Sequence, residues 1–156
     1  MLRSNGDWEA INGNYLLQQE TAYDLADLTL EVEAYLISFN PEQHAIYDAV
    51  LKSVQNNEGK TFFLQSAGGC GKTYVCNTIA AAVRAMGCPA LCVASSGIAA
   101  LLLDGGRTAH SRFKIPIPVF DTSFCGISRN TNLKELIRLT KVIIWDKAPM
   151  PYSYIW

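Results

Sequence analysis

The chain has 156 residues, the length of one domain, and its 49% hydrophobic and 17% charged residues are those of a folded protein rather than a disordered one. Its net charge of −1 excludes a global basic field, so any grip on nucleic acid has to come from a local patch. The opening residues, MLRSNGDWEAING, carry no apolar signal core, and no membrane partner is expected.

Residues 1–18 are polar and irregular and read as a loose lead-in. Between Thr21 and Ser38 the apolar residues Tyr23, Leu25, Leu28, Leu30, Val32, Tyr35 and Leu36 recur, which suggests a helix without marking where it begins. Phe39-Asn40-Pro41-Glu42-Gln43 then starts a second helix: Asn40 is an N-cap, Pro41 suits the first helical position, and Gln43 stands where a capping-box residue belongs. Residues 61–65 (TFFLQ) are predicted to form a buried strand, followed by a glycine-rich turn over 66–71. A helix opens at Lys72 with Val75, Ile79, Val83 and Met86 on one stripe, and Gly87 and Pro89 stop it.

A second strand is predicted at 90–94, a short helix at 97–103, and mostly loop over 107–130, where Pro116 and Pro118 break regular structure. A helix over 132–139 and a strand over 142–145 ending at Asp146 complete the pattern. Strands alternating with helices predict an α/β fold with a parallel sheet flanked by helices. The five cysteines (Cys70, Cys76, Cys88, Cys92 and Cys125) form no C-x-x-C pair and read as reduced, mostly buried thiols. A zinc site finds no support in the spacing of His44 and His110.

The strongest motif is Ser66-Ala67-Gly68-Gly69-Cys70-Gly71-Lys72-Thr73. Glycines let a backbone curl around a phosphate with its N–H groups inward, and a helix N-terminus adds partial positive charge there. In such a P-loop, Gly68, Gly69, Cys70, Gly71, Lys72 and Thr73 bind the nucleotide. Lys72 reaches the β- and γ-phosphates, and the Thr73 hydroxyl holds Mg2+. Ser66 replaces the usual first glycine. The apolar run 142–145 ending at Asp146 fits the strand whose aspartate also holds magnesium, which makes Lys72 and Asp146 the catalytic candidates. The next residue is Lys147, where motor ATPases carry a glutamate that orients the attacking water. A lysine accepts no proton at neutral pH, and losing a positioned base costs roughly 100- to 10,000-fold in rate. The expectation is a chain that binds ATP better than it turns it over.

These motifs, in this order, resemble superfamily-one DNA helicases of the petite-integration-frequency type, especially the forms found in Helitron transposons, from about residue 19 to residue 150. Phe39 to Gln43 is similar to the family's adenine-reading motif, with Gln43 on the base, and residues 66–73 to its phosphate loop. Ala94-Ser95-Ser96-Gly97-Ile98-Ala99-Ala100 is similar to its first single-strand DNA motif. Gly106-Arg107-Thr108-Ala109-His110-Ser111-Arg112-Phe113 is similar to the next. Ile144 to Met150 is similar to its magnesium motif. The resemblance implies a RecA-like domain, ATP hydrolysis with magnesium, and 5′-to-3′ unwinding of DNA. It also implies contacts to single-stranded DNA from Ser95, Ser96, Gly97, Thr108, His110, Ser111 and Arg112. Roles in repair, recombination, telomere maintenance or transposon replication, and a nuclear location, follow from the same resemblance. On the residues alone, Gln43 is also simply a cap partner of Asn40, Ser95 to Gly97 a helix start, and His110 a structural histidine. Arg107, Arg112 and Lys114, with Phe113 and no acid nearby, make either a solvated loop or a cationic, partly aromatic surface for single strands.

The family has a second RecA-like domain carrying an arginine finger, and the chain ends ten residues after Asp146. The expected organisation is therefore a lead-in (1–18), an incomplete first motor domain (19–150) cut short after its magnesium strand, and a divergent tail (151–156). Two further readings stand beside the motor. One is a remnant that holds ATP and single-stranded DNA without hydrolysis. The other is a small P-loop phosphotransferase, which lacks an arginine-rich lid and leaves Gln43 and residues 105–114 unexplained.

Overall fold

The computed structural model describes residues 13–147. The tail at 151–156, and Ala148 to Met150 of the magnesium motif, lie outside the described residues. The elements in chain order are α1 (Tyr15–Thr21), α2 (Leu25–Ile37), α3 (Pro41–Gln55), α4 (Lys72–Ala85), β1 (Ala90–Ala94), α5 (Gly97–Leu101), β2 (Arg107–Thr108), α6 (Ala109–Phe113), α7 (Asn132–Leu139) and β3 (Val142–Asp146).

The three strands form one parallel sheet in the order β2-β1-β3. The register sets Ala90 beside Val142 and Ala94 beside Asp146, while Val93 lies beside Arg107. β1 is central, and all five of its residues are buried. Its side chains alternate between two cores, as the strand period of two requires. Ala90, Cys92 and Ala94 join the main cluster with α2, α3, α4, α5 and Ile144. Leu91 joins Leu17 of α1 and Leu136 of α7 on the opposite face, with Phe113 packed against them. The sheet is thus sandwiched between helices, as predicted.

Local chemistry explains most of the boundaries. Asp24 caps α2 by accepting from the N–H groups of Ala26 and Asp27, which settles the start that periodicity left open. The capping box at Asn40 and Gln43 forms in both directions, at 2.9 and 3.0 Å. Lys114, in the left-handed region at φ 54°, ends α6 inside a stretch expected to be mostly loop.

Three expectations change. Residues 61–65 form no strand: Phe62 is 38% and Phe63 78% exposed, and none of the three strands lends the segment a ladder. An extended segment cannot satisfy its own N–H and C=O groups, so without a neighbour it stays irregular. The lead-in is shorter than 18 residues, because Asn14 caps α1 and Leu17 is 1% exposed. Leu17 docks this helix into the second core, and Asn14 Nδ2 donates to the Asn132 carbonyl at 2.7 Å. The cysteines are all free, but only Cys92 is buried; Cys70 and Cys125 are exposed. Cys70 lies on the glycine turn and Cys125 on the 115–127 loop, where apolar neighbours in sequence do not cover them.

Candidate functional site

The site stands at the carboxyl ends of β1 and β3, where ligands bind in open α/β sheets. It is built around the start of α4. Gly71 sits at the N-cap with φ 75°, a conformation that favours glycine. Six of the seven described helices named above have a side chain bonded to their first N–H groups; α4 has none. The first N–H groups of α4 therefore lack the oxygen acceptor that its neighbours carry, and the helix dipole adds positive character at the same place. That arrangement suits an anion.

Lys72 turns back over the loop. Its ammonium donates to the Ser66 carbonyl at 2.8 Å, the Ala67 carbonyl at 3.0 Å and the Ser66 hydroxyl at 3.2 Å. The three donors of one ammonium are thus placed on the two residues that open the motif. On the other side Gln43 Nε2 donates to the Cys70 carbonyl at 3.4 Å and lies 2.9 Å from where a Cβ on Gly71 would be. Gln43 is therefore both a cap partner of Asn40 and a neighbour of the phosphate loop. Each end of its amide keeps one further hydrogen-bonding position.

Asp146 ends β3 beside this loop. Burial pushes the Cys76 thiol up to about 11; the nearby Asp146 carboxylate and Cys92 push in the same direction and Lys72 opposes them. Cys76 lies one turn into α4, so its thiol marks where the start of the helix and the end of β3 meet. Thr73, on the first turn, and Asp146 are both half-buried. Their oxygens are the hard donors a magnesium ion takes, and the residues present fit that ion. Lys147 follows at φ 55° with its side chain exposed, and its carbonyl accepts from the Ser95 hydroxyl at 2.7 Å. This bond ties the ends of β1 and β3 together.

The remaining predicted residues divide. Ser96 caps α5, accepting from the Ala99 N–H, and Thr108 caps α6, accepting from the Ser111 N–H. Gly97 and Ser111 are exposed and His110 is half-buried. Arg112 is not on the surface: it is 4% exposed and paired with the buried Glu20 of α1. Phe113 also turns inward, 5.9 Å from the Trp145 ring, so the aromatic part of the expected surface belongs to the core. Sequence reasoning missed Glu20 altogether. Its only signal was an acid just past the stretch read as loose (1–18) and before the helix read from Thr21.

With this geometry in view, the comparisons with known proteins converge. A family model described as PIF1-like helicase matches residues 38–156, most of the chain. A protein of Psychrobacter sp. (strain PRwf-1) named ATP-dependent DNA helicase Pif1 is 36% identical over 97 residues, covering 61% of this chain and 15% of that protein. A protein of Trypanosoma brucei brucei named ATP-dependent DNA helicase PIF4 is 32% identical over 100 residues, covering 62% of this chain and 12% of that protein. The chain thus spans a small fraction of the length of these relatives.

Proposed function

The chain belongs to the PIF1-like helicase family, and from that premise we propose that it is a nucleotide-binding part of an ATP-dependent DNA helicase. The observation that carries the reading is the start of α4, with no side-chain cap, Gly71 in the left-handed region and the Lys72 ammonium overhead. The N–H groups from Gly68 to Thr73 cradle the phosphates, and Lys72 exchanges its loop carbonyls for β- and γ-phosphate oxygens. Gln43 reads adenine with the donor and acceptor that its cap leaves over. Thr73 and Asp146 hold magnesium, which, when bound, neutralises charge on the phosphates. Ser95, Ser96, Gly97, Thr108, His110 and Ser111 follow the family's path for single-stranded DNA. Movement in the 5′-to-3′ direction, roles in repair, recombination, telomere maintenance or transposon replication, and a nuclear location belong to the same proposal. No described helix is long and apolar enough to cross a membrane.

Lys147 favours a second reading, in which the chain holds ATP and single-stranded DNA with little hydrolysis. No carboxylate stands next to Asp146 to orient water, and turnover falls by roughly 100-fold or more. Titration with a fluorescent adenine nucleotide tests the shared part. Saturable uptake that Lys72→Ala weakens supports it, and folded protein that takes up none overturns it. Phosphate release, with and without single-stranded DNA, separates the two readings. DNA-stimulated turnover that rises in Lys147→Glu supports the motor, while binding without turnover in either protein supports the remnant.

A further inference from the structure

A cavity of about 500 Å³ lies away from the phosphate loop, between α1, the β2–α6 segment and the turn before α7. That volume falls in the range of small-molecule sites, about 300 to 1,000 Å³. Its wall includes Arg107, Lys114, Ser111, Ser128 and Tyr15, the last 60% exposed. No carboxylate is among the described residues that line it. Arg112 also lines it, but its charge is turned to the protein interior. The residue is buried, its Nη2 is paired with Glu20, and its Nε–H has no acceptor among the described residues.

We propose that this cavity holds one nucleotide unit of a single DNA strand, with its phosphate against Arg107 and Lys114 and its base against the Tyr15 ring. The inference rests on the DNA-binding reading above and extends it to α1. Tyr15 lies outside residues 38–156, the part matched by the family model, so this wall comes from α1, the first described helix. Cations alone would suit any anion. Cations beside an exposed ring suit a phosphate ester that carries a flat base, because every base offers a face for stacking. A free nucleotide carries the same chemistry, and the experiment separates it from a strand.

The full chain is titrated into labelled oligothymidine at several salt concentrations, followed by fluorescence anisotropy, with unlabelled thymidine monophosphate as the second arm. Tyr15→Ala is expected to weaken strand binding by about fivefold or more, and Tyr15→Phe to keep it, because stacking needs the ring and not the hydroxyl. Lys114→Ala is expected to reduce the salt slope by about 0.7, the share of one phosphate contact on a single strand. Uptake of the fluorescent adenine nucleotide and the unfolding midpoint stay unchanged in all three variants. Strand binding that ignores both Tyr15→Ala and Lys114→Ala overturns the inference and leaves the DNA-binding reading standing. A Tyr15-dependent site that takes the free monophosphate but not the strand overturns it as well. Absence of any strand binding overturns it together with the reading it rests on.

Discussion

The two flanks of the phosphate loop look alike in composition and end up in opposite situations. Downstream, α4 buries Val75, Thr78, Ile79, Val83 and Arg84 along with its run of alanines from 80 to 82. Upstream, residues 61–65 are just as apolar, yet Phe63 stands 78% exposed. The difference is one of hydrogen bonding rather than hydrophobicity. A helix satisfies its own backbone and needs only an apolar surface to lie on, which β1 provides. An extended segment needs a neighbouring strand to pair its backbone, and without one only Leu64 of residues 61–65 packs against the core. The phosphate loop is therefore anchored at one end, where Lys72 and Thr73 stand, and weakly held at the other.

The largest test of that contrast is Ile79→Ala. Ile79 is 3% exposed in the main cluster, and removing its branched end should cost about 2–5 kcal/mol of unfolding free energy. A loss below 1 kcal/mol, read from urea denaturation, would mean that α4 is no firmer than the upstream flank. Next in size is Gly71→Ala, at the joint between the flanks. An alanine at φ 75° costs about 1–2 kcal/mol, and its Cβ meets Gln43 Nε2 at 2.9 Å. Gln43 has a flexible end and can yield, so the strain falls on the loop backbone. Nucleotide affinity should drop by about tenfold, and an unchanged affinity would show that the loop does not need this geometry.

A smaller effect tests how closely the anchored flank meets β3. Burial first, and then the Asp146 carboxylate, pushes the Cys76 thiol up to about 11, against 9.0 for a free thiol. The unfolded chain therefore loses this proton first as pH rises. Between about pH 9 and 11 it binds fewer protons than the native state, and stability falls. The contribution is fully present below pH 9 and worth ~1 kcal/mol once partial solvent access is allowed for. Comparing urea midpoints at pH 8 and pH 10.5 in the natural chain and in Cys76→Ala isolates it from the tyrosines. Equal alkaline losses in the two proteins would place the thiol in open solvent and remove the link between α4 and Asp146.

Much of this was legible in the sequence wherever a signal was local. Asn40 with Gln43 announces itself through short-range hydrogen bonds and Gly71 before Lys72 through its backbone freedom, and those boundaries stand. The central strand is visible because an apolar run of five residues between turn signals has few other fates. What stayed hidden depended on distant partners. The ion pair of Arg112 with Glu20 joins residues 92 positions apart, and no local pattern shows that a cation in a basic loop will turn inward. The fate of residues 61–65 was hidden for the same reason, since their pattern is that of a strand and only the missing ladder decides otherwise.

That last segment yields the smallest and sharpest test. Residues 61–65 are irregular and Phe63 is 78% exposed, so Phe63→Ser removes almost no buried area, and stability should change by less than about 0.5 kcal/mol. The same substitution should reduce self-association in light scattering, because an exposed apolar segment with unpaired backbone groups invites pairing with another copy. Suppose instead that the variant lost 2 kcal/mol or more. Phe63 would then be packed in solution, and the upstream flank would be as well anchored as α4. The phosphate loop would in that case be held rigidly at both ends, and the strain of Gly71→Ala would have nowhere to dissipate. The two variants together therefore read one quantity, the compliance of residues 61–70, from opposite ends of the loop.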